Sequence, residues 1–189
     1  MTLGAQSAVK VSFDQTRRHV SLLYGTAFFN VAHDANTPFT VEAGGSKLRD
    51  IGTAFNIDVD STRLDVAVES GAVAVTFKGA QPATLSAGDR LSIDRQTHKS
   101  VVTKVPVVAM SAWRAGRLVV DNEAIGDVIQ QIRRYYSGYI WLRDAELGGK
   151  RISGVYDLAN PLSALKSVVE PYAGAVTEVS PLLLIVSAR

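Results

Sequence analysis

The chain contains no cysteine. That absence removes disulfide staples, thiolate nucleophiles and cysteine-ligated metals together. Long apolar runs are missing too. The longest candidates, Val105–Met110 and Leu182–Val186, fall far short of the roughly 20 residues a membrane-crossing helix needs, and the sequence does not open with the layout of a secretory signal peptide. Charge of one sign is equally scarce. Lys and Arg number 20 against 18 Asp and Glu, a formal net charge of +2, and no basic stripe offers itself to a phosphate backbone. What is present describes a globular protein: 189 residues, 47% hydrophobic and 20% charged, enough for one large domain or two small ones, each with a core.

The residue types that usually carry chemistry are dispersed. His19, His33 and His98 have no second ligand at metal-site spacing. Gly4, Gly25 and Gly52 open no phosphate-binding loop. The pairs Asp58/Asp60 and Asp65/Glu69 sit on alternating segments, where the expected role is a solvent face rather than a carboxylate dyad. Glu69-Ser70-Gly71 lacks the flanking glycines of a nucleophile elbow. Tyr135, Tyr136, Tyr139 and Trp141 cluster in sequence, but helix and strand periodicity reads them as core and seam residues rather than a ligand platform, with one of Tyr139 and Trp141 buried against its sheet. No catalytic constellation, cofactor or metal is indicated.

The stretch Ser111–Ile132 divides the chain into two kinds of sequence. Before it, short alternating segments are punctuated by glycine: Val9–Phe13, Val20–Tyr24, Ala27–Val31, Phe39–Ala43, Phe55–Val59, Leu64–Val68, Ala72–Phe77, Thr84–Leu85, Arg90–Ile93 and Val101–Val108. About ten strands at this spacing predict a sandwich, barrel or β-solenoid. Asp14–Arg17 reads as a polar turn, and Gly25 as a break between strands. In the divider itself Trp113 and Gly116 suit a domain seam, and an ordinary core tryptophan is the equal alternative. Asp121 or Asn122 offers an N-cap. Ile125, Val128, Ile129 and Ile132 then form one apolar helical stripe. A strand at Tyr139–Leu142, a turn at Gly148-Gly149 and a strand at Arg151–Tyr156 follow. Asn160-Pro161 starts a second helix lined by Leu162, Leu165, Val168 and Val169. Two last strands, Ala175–Val179 and Leu182–Ser187, close the chain. An offset of 37 residues superposes Ile125 on Leu162, Val128 on Leu165, Ile132 on Val169 and Tyr135 on Tyr172, which predicts two βαβ units.

Four segments in order carry a family likeness: Arg18–Val31, Pro38–Val41, Gly52–Ile57 and Val68–Val75. They resemble the FecR family, the periplasmic parts of membrane-spanning regulators of sigma factors in siderophore-dependent iron uptake. The chain departs from the family pattern at Thr26, usually Glu, and by an extra Ser70. Ala112–Leu118 resembles the family's seam motif, and residues 117–189 resemble the STN domain of secretins and TonB-dependent transporters. The resemblance implies a FecR-like all-β domain over 1–110, a seam at 111–116 and an STN-like domain over 117–189. It implies a non-enzymatic, signal-receiving role as the periplasmic portion of a single-pass inner-membrane protein, its cytoplasmic region and membrane helix preceding a chain that starts inside the β domain. The implied partners are the signalling domain of an outer-membrane TonB-dependent siderophore transporter, a periplasmic protease and, through the missing region, a sigma factor. A structural or cell-wall-associated β domain with an STN-like tail is the alternative.

Two sites follow. Some family members are thought to cleave themselves at a Gly–Thr bond, which here places the Thr53 hydroxyl against the Gly52 carbonyl. In the final strand, Leu182, Leu184 and Val186 occupy one face and Leu183 and Ile185 the other, so both faces need cover. A terminal strand at a sheet edge would present this segment to a partner.

Overall fold

A computed structural model describes residues 1–32, 34, 36–50, 52–77 and 81–189. They divide into two compact units, Met1–Ser111 and Ala112–Arg189. The first holds strands β1 (Thr2–Leu3), β2 (Ala8–Phe13), β3 (Arg18–Asn30), β4 (Phe39–Ala43), β5 (Ser46–Asp50), β6 (Ala54–Val59), β7 (Arg63–Ser70), β8 (Ala72–Thr76), β9 (Ala83–Ser86), β10 (Asp89–Asp94) and β11 (Ser100–Lys104), then the helical turn α1 (Val107–Met110). Alternation decides which way each strand faces. Val41 and Ala43 are buried while Glu42 between them is exposed, and Leu64, Val66 and Val68 line the same core as Leu48, Val73, Val75 and Leu85.

All eleven strands belong to one sheet, in the order β11-β10-β7-β6-β3-β4-β5-β8-β9, with β1 and β2 also paired to β3. The sequence leaves a two-sheet sandwich, a barrel and a solenoid open. The observed form is a single curled sheet, and β3 is the reason. Its first half, Arg18–Leu22, runs parallel to β4, whereas Gly25–Asn30 runs antiparallel to β6. One long strand therefore serves both arms, and strands from both arms bury side chains in one core. Gly25 does not break the strand. It takes φ +88°, a region an L side chain avoids, and an added Cβ would stand 2.6 Å from the Gln6 carbonyl oxygen. The sheet changes partner at this bend.

Three other details differ from expectation. The strand β5 follows a tight turn at Gly44-Gly45, both with positive φ, and pairs with β4 and β8; its two hydrophilic ends hid it. The predicted strand Val101–Val108 stops at Lys104, because Pro106 supplies no donor and precedes a helical turn. The additional residue near Ser70 is absorbed as a β-bulge: Ala54 faces Ser70 while Phe55 faces Val68, leaving Glu69 between them. The Thr26 departure is accommodated as well. Its buried hydroxyl donates to Asp58 Oδ2 at 2.7 Å.

The second unit comprises a 3-10 turn (Ala112–Ala115), β12 (Arg117–Ala124), α2 (Ile125–Arg133), β13 (Tyr139–Leu142), α3 (Ala145–Gly149), β14 (Arg151–Asp157), α4 (Pro161–Val169), β15 (Gly174–Ser180) and β16 (Leu183–Ala188). Asn160 caps α4 by accepting from the Ser163 amide, with Pro161 in the first turn. The α2 start is different from the one expected. Asp121 and Asn122 are not its cap; they form a bulge in β12, where Asn122 has φ +51° and its N–H donates to Ser153 Oγ at 2.8 Å. The strand runs on to Ala124, which caps α2 without a side-chain bond. The predicted turn at Gly148-Gly149 lies inside α3, whose cap, Asp144, accepts from the amides of Glu146 and Leu147.

The two β-α-β units are present, but neither closes within one sheet. Their first strands, β12 and β14, pair antiparallel with each other, and their second strands, β13 and β15, flank β16. The helices α2 and α4 bury Ile125, Val128, Ile129, Ile132, Leu165, Val168 and Val169 in a common core that also takes Leu184 and Val186. Trp113 is half-buried against that core.

Candidate functional site

Strand β16 is not an edge. It runs parallel to β13 and antiparallel to β15, and so occupies the middle of a three-stranded sheet. The physical reason is the pairing of both flanks: on the β13 side the Leu182 carbonyl oxygen accepts from the Tyr139 amide at 2.7 Å and the Val186 carbonyl oxygen from the Arg143 amide at 2.9 Å, and on the other side β15 pairs from Gly174 opposite Ala188 to Glu178 opposite Leu184. A last strand that is apolar on both faces is a central strand by composition, and chain order does not fix sheet order. Leu184 and Val186 are sealed at 1% and 0% exposure, Leu183 and Ile185 are half-buried on the other face, and Leu182 lies in the preceding turn, exposed.

The outer face of this sheet is the candidate site. Across β13 and β16, Tyr139 stands opposite Leu183 and Trp141 opposite Ile185. Tyr139 is 58% exposed and Trp141 50%, while Ile140 between them is fully buried. Residues two apart on a strand share a face, so the expectation that one of the two aromatics is buried is overturned: both point outward. Two exposed aromatics and two half-buried branched aliphatics thus form a continuous apolar strip that no described strand of the chain's own sheet covers. Arg133 flanks it, its guanidinium 5.1 Å from the Tyr139 ring centroid and donating to the Ile140 carbonyl, a stack that fixes the ring's orientation. The Tyr136 hydroxyl donates to the Pro181 carbonyl at 2.7 Å and braces the turn into β16. Among the described residues, β13 and β15 each pair along one side only.

The remaining sequence candidates have been placed as follows. Gly52 (φ +84°) and Thr53 lie just before β6; Thr53 is 3% exposed, and its carbonyl accepts from the Val31 amide at 2.9 Å. Gly71 packs directly on this pair, for a Cβ there would be 2.7 Å from Thr53 Cγ2 and closer still to the Gly52 carbonyl oxygen. Asp58 is bonded to Thr26, and Asp60 closes its own turn on the amides of Thr62 and Arg63. Asp65 accepts from Ser92 and pairs with Arg63 at 2.8 Å and Arg90 at 3.4 Å, and Glu69 accepts from the Ser111 hydroxyl. These carboxylates tie the sheet together. His33 lies outside the described residues. Among the described residues no cluster of His, Asp and Glu could hold a metal ion, and no helix is long and apolar enough to cross a membrane.

Comparison with known proteins bears first on the β unit. Residues 1–74 match the family model described as FecR protein. No curated protein matches the chain. Among solved structures, two crystal structures of candidate anti-sigma factors from Parabacteroides distasonis are similar to it. They align over 99% of this chain and 89% and 88% of their own, with TM-scores of 0.90 and 0.89 and 20% identity. At that identity the likeness establishes a shared fold. The family likeness is confined to residues 1–74.

Proposed function

We propose that this chain is the signal-receiving part of an anti-sigma-type regulator. In this reading residues 117–189 act as an STN-like module that binds the N-terminal signalling domain of a TonB-dependent siderophore transporter. The FecR match over residues 1–74 and the fold shared with candidate anti-sigma factors support the regulatory class. The observation that carries the binding role is the uncovered strip Tyr139, Trp141, Leu183 and Ile185. Tryptophan and tyrosine dominate interface hot spots because they bury large areas at small entropic cost, and the one-sided β13 would let a partner strand extend the sheet. The full regulator would sit in the inner membrane with this part in the periplasm. Occupancy of the strip would expose it to a periplasmic protease and so alter control of a sigma factor through a cytoplasmic region.

The test replaces Trp141 by Ala and, separately, Leu183 and Ile185 by Asp, and measures affinity for isolated transporter signalling domains. Truncating a hot-spot tryptophan removes on the order of 2 kcal/mol, about a thirtyfold loss. Variants that melt cooperatively and still bind with unchanged affinity would move the contact off this face.

A further inference from the structure

The β unit carries a second surface of a different chemistry. Two rows of side chains cross the outer face of β2, β3, β4 and β5. One row, set by strand register, is Lys10, Ser21, Glu42 and Lys47; the next is Ser12, His19, Thr40 and Arg49. Alternation sends their neighbours Val20, Leu22, Val41 and Leu48 into the core, so every member of both rows faces solvent. With Arg17 from the β2–β3 turn, all of these except Arg49 line a cavity of about 380 Å³.

Its charge is unbalanced. Lys10 and Lys47 have no ion-pair partner among the described residues. Arg17 is held by Asp14 at 2.8 Å. The one carboxylate in the lining, Glu42, lies 3.7 Å from His19 Nε2. Two uncompensated ammonium groups on flexible four-carbon stems stand three strands apart, about 14 Å at ~4.8 Å per strand, with hydroxyls between them.

The hydroxyls are tied to His19. Its Nδ1 lies 3.0 Å from Thr40 Oγ1 and its Nε2 3.2 Å from Ser21 Oγ. A neutral imidazole has one donor and one acceptor nitrogen, so one of the two hydroxyls must spend its proton on the ring. A protonated imidazole donates from both nitrogens, which frees both hydroxyl protons to point into the cavity and adds a positive charge. The charged groups facing His19 are Glu42 from β4, Lys10 from β2, Lys47 and, in its own row, Arg49 from β5, and the Arg17–Asp14 pair of the turn.

We infer that this cavity is an oxyanion-binding site, taking a carboxylate or phosphate group between Lys10 and Lys47 over the Ser21 and Thr40 hydroxyls. Glu42 is the built-in competitor: it occupies the position an incoming anion would take beside His19. The anion is held best when the His19 ring carries both protons, because that state adds a positive charge and frees both hydroxyl protons.

Titration calorimetry of the unaltered chain with inorganic phosphate and with glucuronate, each at pH 5.5 and pH 8, tests this. Saturable binding of at least one anion is expected, tighter at the lower pH. Lys10→Gln and Lys47→Gln should each weaken it about tenfold, the value of one charge-assisted hydrogen bond. Glu42→Gln should strengthen it, and His19→Gln should flatten its pH dependence. Preference for phosphate assigns a phosphate-bearing ligand, and preference for glucuronate a carboxylate-bearing one. No binding of either anion at millimolar concentration would overturn the inference, as would binding that the lysine variants and Glu42→Gln leave unchanged. The replaced side chains are solvent-facing, so far-UV circular dichroism should be the same for all variants.

Discussion

Gly71 and Gly45 both hold a left-handed backbone, at φ +77° and +81°, but their surroundings differ completely. Around Gly45 a new Cβ meets nothing within 4 Å. Gly45→Ala therefore isolates the backbone term, about 1–2 kcal/mol for an L residue in this region. At Gly71 the same Cβ lands 2.7 Å from Thr53 Cγ2 and nearer to the Gly52 carbonyl oxygen. Neither can retreat easily, since Thr53 is 3% exposed and its carbonyl is committed to the Val31 amide. Overpacking a closed site costs a further ~1–3 kcal/mol, so Gly71→Ala should destabilise the β unit by about 2–5 kcal/mol in total. Equilibrium urea unfolding followed by far-UV circular dichroism reads both variants. Equal losses for the two would refute the argument from close approach, and a Gly71→Ala variant as stable as the unaltered chain would refute the backbone argument as well.

Further outcomes are expected. Ile129→Ala removes a side chain 1% exposed between α2 and its neighbours and should cost about 2–5 kcal/mol; Trp113 and Trp141, both in the second unit, make tryptophan fluorescence the readout. Acid should destabilise the turns. Asp14 is held far below the ordinary carboxylate range by the Thr16 hydroxyl and then by the Thr16 amide and Arg17, Asp34 is lowered chiefly by the Thr37 hydroxyl, and Asp94 by the Thr97 amide. Groups with depressed folded pKa values contribute stability above the unfolded value, near 3.9, and lose it as the pH falls through the folded one. The melting temperature should therefore decline progressively below about pH 4, and a melting temperature flat from pH 5 to pH 2 would contradict it. Attack of the Thr53 hydroxyl on the Gly52 carbonyl carbon, with hydrolysis of the resulting ester, predicts two fragments on intact mass spectrometry and only full-length protein for Thr53→Ala. A single full-length mass for the unaltered chain removes that proposal.

Much of the fold was legible in the sequence because local periodicity is a direct image of burial. The stripe Ile125, Val128, Ile129 and Ile132, the Asn160-Pro161 start of α4 and the alternation in β6, β7 and β10 each name an element and its inward face without reference to anything distant. The 37-residue echo likewise matched the two helices that share one core, though the strands on either side of each helix belong to different sheets. Local chemistry misled where two local answers were available. Asp121 and Asn122 are good caps, yet pairing with β14 kept the strand going past them and turned them into a bulge.

What only the tertiary structure decided is which strands are neighbours. Alternation specifies a face but carries no information about partners along the hydrogen-bonding direction. Nothing local in Arg18–Asn30 could announce that its two halves would pair with β4 and β6 and so curl one sheet around one core. Nor could Leu182–Val186 reveal that β13 and β15 would close on both sides of it, moving the exposed apolar strip onto a face shared with Tyr139 and Trp141. The polar rows from Lys10 to Lys47 and from Ser12 to Arg49 come from four strands spread over about forty residues. Side-chain identities were set by the sequence, and their convergence by long-range pairing alone.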